Sequence, residues 1–162
     1  VQDRGVEALA WDEVLDTDVP DGVVVVAWRS STQGAAAARR GIEVVMAPQS
    51  HLYLDWANVD DDAEPVSQHA GLATTWQKVY GFSVVPPGLE PAYHRYVRGA
   101  QAELWSEYIA TRDHLDYMAY PRLCAFAEVV WGTPGDEAEF ATRLTTHLAR
   151  LGAEGVKFRP LS

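Results

Sequence analysis

Positive charge is scarce in this chain. Its 162 residues carry 13 Lys and Arg against 23 Asp and Glu, a net −10 with histidine neutral. So acidic a balance repels nucleic-acid phosphates and anionic membranes, so neither is an expected partner, while uncharged ligands stay open. Cysteine is scarcer still: Cys124 is alone and cannot form an internal disulfide. In the apolar context "RLCAFAE" it reads as packing rather than as a nucleophile. No apolar run approaches the length of a membrane span. The opening "VQDRGVEALAW" has neither an initiator Met nor the layout of a signal peptide. A chain that starts on Val and enters a strand within a few residues reads as processed or cut from something longer, so localisation cannot be read from it. Ligand clusters are missing too. His51, His69, His94, His114 and His147 are scattered, and Asp60-Asp61-Asp62 lacks the glycine and terminal glutamate of a calcium loop. No metal and no other cofactor is expected. Heptads and low-complexity tracts are absent.

What is present is apolar surface. Residues of that class make up 48% of the chain and aromatics 10%, enough for one folded domain with a real core. Four short apolar runs read as strands: 6–11, 23–28, 42–48 and 98–105. The second, "VVVVAW", is β-branched up to Ala27, the pattern of a strand buried on both faces. Helical patterns fall at 31–41 with Gly41 closing it, 74–82 behind threonine caps, 120–132 with Pro121 in its first turn, and 135–152. The last sets Phe140, Leu144, Leu148 and Leu151 on one face and ends at Gly152. Residues 57–71 read as a long acidic loop. Strand followed by helix, repeated, implies an α/β fold with a parallel sheet.

The strand ends are more telling than the strands. The first closes on Trp11 and the second on Trp28. The third runs into "HLYLD" with Tyr53 and Asp55, two apart on what reads as an extended segment, and the fourth ends in Trp105 with Glu107 beyond it. Ligands of parallel α/β proteins gather at the C-terminal ends of strands. Aromatic faces suit the apolar C–H face of a pyranose and carboxylates accept from its hydroxyls, so an uncharged carbohydrate fits such a set. Each residue also has a plain reading: Trp11 and Trp28 as sheet core, Tyr53 and Asp55 as a surface pair, Trp56 as rim or packing, Trp76 and Trp131 as packing. The adjacent acids Asp12-Glu13 read either as a catalytic pair or as the start of the loop after the first strand.

In this order and spacing, "AWDEVL", "VVVVAWRS", "VVMAPQSHLYLD", "QKVYGF", "GAQAELWSEYI" and "YPRLCAFAEVVW" resemble the second half of the catalytic domain of family 20 glycoside hydrolases, the β-N-acetylhexosaminidases. The resemblance runs from about residue 6 to the C-terminus and takes residues 1–162 as one partial domain. It implies strands five to eight, with their helices, of a (β/α)8 TIM barrel, whose full length needs about 250 residues.

By the same resemblance, Trp11, Trp28 and Trp105 match the tryptophans that enclose the N-acetyl group and floor the sugar ring. Tyr53 matches the catalytic tyrosine that hydrogen-bonds the acetamido oxygen, and Asp55 and Glu107 match the acids that grip the outer hydroxyls. The implied reaction is substrate-assisted hydrolysis with retention, in which the acetamido oxygen attacks the anomeric carbon. The family's Asp-Glu pair, in a His-x-Gly-Gly-Asp-Glu context at the end of strand four, has no counterpart in this chain. The chain alone is therefore expected to be inactive, and Asp12-Glu13 to serve Trp11 rather than catalysis. A tryptophan that many members carry after the "YLD" motif is replaced here by the Gln68-His69-Ala70 region. Expected partners are an N-acetylhexosaminide or other carbohydrate, and either the remainder of the barrel or a second copy through exposed strand edges. The alternative is a non-catalytic sugar-binding or structural half-barrel module.

Overall fold

The computed structural model describes residues 4–61, 63–132 and 134–161. In chain order these form β1 (Ala8–Trp11), a 3-10 helix over Asp12–Asp16, β2 (Val23–Ala27), α1 (Ser31–Arg39), β3 (Val44–Met46), α2 (Gln49–Leu52), β4 (Trp56–Ala57) and β5 (Gln68–Ala73). There follow α3 (Trp76–Tyr80), a 3-10 helix over Pro91–Tyr96, β6 (Val97–Ala100), α4 (Arg112–Ala119), α5 (Arg122–Trp131) and α6 (Glu137–Ala153). They fall into two compact units, one of Val1–Ser50 with Ser83–Gln101, the other of His51–Phe82 with Ala102–Ser162.

The first unit is built on a parallel sheet in the order β1-β2-β3-β6, holding all four predicted strands, although the fourth stops at Ala100, where its pairing with β3 ends, rather than at Trp105. β2 sits inside it, with Val24, Val25, Val26 and Ala27 buried as its β-branched run requires. The helix α1 starts where the Ser30 side chain accepts a hydrogen bond from the Gln33 amide, and it packs its buried Ala35, Ala37 and Ala38 toward the sheet. Gly41, with φ +77°, turns the chain out of it. Arg98 on β6 reaches both Glu7, just before β1, and Glu43, just before β3, each at 2.6 Å. In a flat sheet the strands β1 and β6 would stand roughly 14 Å apart, so one side chain linking them marks a sheet that curls.

The second unit is a helix cluster beside a small parallel pair, β4 and β5. The α6 face read from the sequence is the buried one: Phe140, Leu144 and Leu148 are covered, and Phe140 stacks on Tyr80 of α3 at 4.5 Å. Trp76 is buried there as packing, 5.9 Å from the same ring.

Several boundaries move. β5 occupies part of what read as the 57–71 loop, because its pairing with Trp56–Ala57 is non-local; Asp62 of the acidic triplet lies outside the described residues. Helix α4 was not expected, although Thr111 caps it. Helix α6 runs through Gly152 to Ala153, and Gly155 at φ +83° is the glycine that ends it. The reading of Trp131 as packing is overturned: it is 90% exposed at the end of α5.

Candidate functional site

In the first unit, parallel register sets Trp11 of β1 opposite Val26 of β2, so Trp11 and Trp28 come at neighbouring strand ends. Trp11 is partly exposed and Trp28 half-buried. The Asp12-Glu13 pair opens the 3-10 helix, and the hydrogen bonds of both side chains cross to the end of β2. The Trp28 indole N–H donates to the two Glu13 carboxylate oxygens at 3.1 and 3.0 Å. Asp12 is fully buried and accepts from the Arg29 Nε at 2.8 Å and the Arg29 backbone amide at 3.1 Å. Burial pushes the Asp12 carboxyl up, against the pull of those bonds, and Arg29 is pushed up by its hydrogen bonds to Asp16 and Asp12. The pair was expected to serve Trp11. Instead Glu13 holds the Trp28 indole and Asp12 the Arg29 side chain, because β1–β2 pairing brings the end of β2 to them, and neither is a free acid or base.

In the second unit, Tyr53 pairs with Glu103 in a parallel bridge, fixed by Leu54 N–H to the Glu103 carbonyl (2.7 Å) and Glu103 N–H to the Leu52 carbonyl (2.8 Å). The bridge sets Tyr53 beside the segment that leads through Trp105 to Glu107. Tyr53 and Asp55 do not share one extended stretch, because the chain turns at Leu54–Asp55. Tyr53 is half-buried, its ring edge-on to Trp56 at 6.3 Å, and Asp55 is buried. Trp105 is 42% exposed and Glu107 exposed, so this segment presents one aromatic face and one carboxylate to solvent. His51, just before Tyr53, is kept neutral at pH 7 by burial and by Lys78 nearby.

Two features lay outside the predicted set. Arg122 is fully buried and its guanidinium is spent on backbone carbonyls around Tyr53–Ala57. The lone charge ahead of the apolar run "LCAFAEVV" was a usable signal, since a buried arginine must find acceptors. The other is Glu13, whose partner is fifteen residues away. The chain's other Asp-Glu pair, Asp136-Glu137, starts α6, with Asp136 accepting from the Glu139 amide at 2.9 Å. An open cavity of about 850 Å³ lies between α5 and α6, lined by Leu123, Cys124, Phe140 and Leu144 among others. None of the predicted site residues lines it.

A parallel sheet whose strands are joined through helices makes this an α/β protein. Comparison with known proteins is specific. The family described as glycosyl hydrolase family 20, catalytic domain, matches residues 1–134, and the chain belongs to that family. It is 40% identical to a β-hexosaminidase of Porphyromonas gingivalis over 98% of its own length and 20% of the relative's. With a β-N-acetylhexosaminidase of Cellulomonas fimi it shares 33% identity over 91% of its length and 30% of the relative's. Among solved structures, the family 20 exo-β-N-acetylglucosaminidase of Vibrio harveyi in complex with N-acetylglucosamine superposes with a TM-score of 0.88 at 30% identity, over 98% of this chain and 25% of that one. The chain thus spans a fifth to a third of the length of these relatives. Its α/β architecture with parallel strands is a partial (β/α)8 barrel.

Proposed function

We propose that the full-length gene product containing this chain is a β-N-acetylhexosaminidase, releasing terminal β-linked N-acetylglucosamine or N-acetylgalactosamine with retention of configuration. The observation that carries this, beside family membership, is the Tyr53–Asp55 turn paired to the segment that presents Trp105 and Glu107. It supplies the phenol, carboxylates and indole that an N-acetylated sugar requires.

In this reading the substrate's acetamido oxygen forms a bond to the anomeric carbon as the glycosidic C–O bond breaks, and a carboxylic acid protonates the departing oxygen. Water then opens the oxazolinium-type intermediate, returning a proton to that carboxylate. The Tyr53 hydroxyl donates to the acetamido oxygen and holds it on line. Asp55 and Glu107 accept from the outer hydroxyls, and Trp11, Trp28 and Trp105 offer indole faces to the acetyl group and ring. Neither Asp-Glu pair of this chain supplies the proton: Asp12-Glu13 is bound to Arg29 and Trp28, and Asp136-Glu137 begins a helix. The acid belongs to the rest of the gene product.

Tyr53→Phe in the full-length product tests the reading. Loss of a donor aimed at the reacting oxygen should cut kcat by about a hundredfold with KM little changed, measured on a chromogenic N-acetylglucosaminide. Full retention of kcat would remove Tyr53 from the mechanism.

A further inference from the structure

Arg122 is the largest fully buried side chain among the described residues, and it sits in the second unit, bonded to residues that follow Tyr53 in the chain. Its five N–H donors match a fixed planar fork. The Nη2 group donates to the Leu54 carbonyl at 2.6 Å and to Met118 at 2.5 Å. The Nη1 group donates to Trp56 at 2.8 Å, Thr74 at 3.0 Å and Ala57 at 3.4 Å, and Nε donates to Met118 at 3.1 Å. Three of these carbonyls, Leu54, Trp56 and Ala57, belong to the turn and strand that follow Tyr53 and contain Asp55.

The same segment has backbone ties on either side of the turn. Ahead of the turn it is tied to Glu103 through Leu52 and Leu54, and beyond it Ala57 accepts from the Thr74 amide at 2.9 Å. Between those ties, the turn's inward carbonyls face the guanidinium. Burial lowers the Arg122 pKa to about 9, opposed by the Glu64 and Asp55 carboxylates, so the group is still charged at neutral pH. A buried cation ringed by carbonyls orients those carbonyls strongly, because each is the alternative to an unsatisfied charge. Lysine has three donors on one compact head and cannot reach this set in one plane.

We infer that Arg122 is a positioning residue for the proposed sugar site: by clamping the carbonyls of Leu54, Trp56 and Ala57, it sets the turn that aims the Tyr53 hydroxyl and the Asp55 carboxylate. This rests on the reading of Tyr53 and Asp55 given above, and adds to it a residue that touches no substrate.

The test is a double-mutant cycle in the full-length gene product, using Arg122→Lys, Tyr53→Phe and the two combined. Each variant is checked for folding by circular dichroism and assayed well below its Tm. Arg122→Lys should keep the fold and lose about tenfold to a hundredfold in kcat, as small misplacements of reacting groups do. That loss should shrink to a few-fold in the Tyr53→Phe background, since Arg122 acts through the hydroxyl no longer there. A folded Arg122→Lys with lowered Tm but unchanged kcat and KM overturns the inference, as does a loss equally large in both backgrounds. Tyr53→Phe at full kcat overturns the functional reading instead, which separates the two failures. If Arg122→Lys does not fold, Arg122→Gln, which keeps an amide donor, takes its place in the cycle. Failure of both to fold assigns Arg122 to folding alone and overturns the inference.

Discussion

Cys124 lies half-buried on α5, where apolar neighbours deprive its thiolate of solvation and push the thiol from an ordinary 9.0 up to about 11. At pH 8 only about one thiol in a thousand is then ionised. Iodoacetamide should therefore alkylate the native chain about a hundredfold more slowly than the urea-unfolded chain, with a native pH midpoint near 11; a midpoint at or below 9 would show an activated cysteine. The linkage has a definite sign. The unfolded chain loses its proton first, so the contribution of Cys124 to stability is intact below about pH 9 and declines as pH rises toward 11. This inertness was legible in "RLCAFAE". The work of Asp12 and Glu13 was not, because their partners Arg29 and Trp28 are seventeen and fifteen residues away and only the β1–β2 pairing brings them near. The resemblance proposes Tyr53, Asp55, Trp105 and Glu107 for the sugar site, while Arg122, bonded to the carbonyls of Leu54, Trp56 and Ala57, was not among the candidates. The charge ahead of its apolar run signals only a need for acceptors, and which carbonyls serve is set by non-local packing of residues 54–57 against α5.

Elements show the same division between local and distant causes. Helix α6 was readable from its apolar period and β2 from its valines, because each reflects the burial of its own face. The short β4–β5 pair and α4 were not readable, since one depends on non-local pairing and the other, at 8 residues, is too short for its apolar period to repeat. Helix α1 is held to the sheet by smallness. A Cβ at Gly34 would lie 2.4 Å from the Met46 sulfur and 3.3 Å from the Ala27 Cβ, and Met46 and Ala27 are both fully buried. Alanine there gains about 1 kcal/mol of helix propensity while forcing the methionine tip aside, so Gly34→Ala should leave stability nearly unchanged. Gly34→Val adds two methyl groups with no such gain and should cost about 1–3 kcal/mol by overpacking. Urea unfolding of both variants checks this, and a valine variant as stable as the parent would mean that α1 does not approach β3 closely.

For the molecule as a whole, the sheet's strand order is the consequential fact. The order β1-β2-β3-β6 leaves β1 and β6 at its ends, and β1 is apolar on a side that faces solvent: Leu9 is 55% and Trp11 37% exposed, with the exposed Val6 just ahead of the strand. A strand edge with open N–H and C=O groups and exposed aliphatic side chains pairs readily with another strand. Arg98, tied to Glu7 and Glu43, places charge near the entry to β1 but not along its length. The chain covers only 20% to 30% of the relatives' length, and in the proposed enzyme the covering strand comes from the remainder of the gene product. Expressed alone, the 162 residues should therefore self-associate in a concentration-dependent way in sedimentation velocity. Leu9→Lys puts a charge on that edge and should shift the population toward monomer, because the lysine cannot be buried against a second strand without losing its solvation. A chain that sediments as a monodisperse monomer at every concentration, with or without Leu9→Lys, would show that β1 is protected as it stands and that the edge needs no partner.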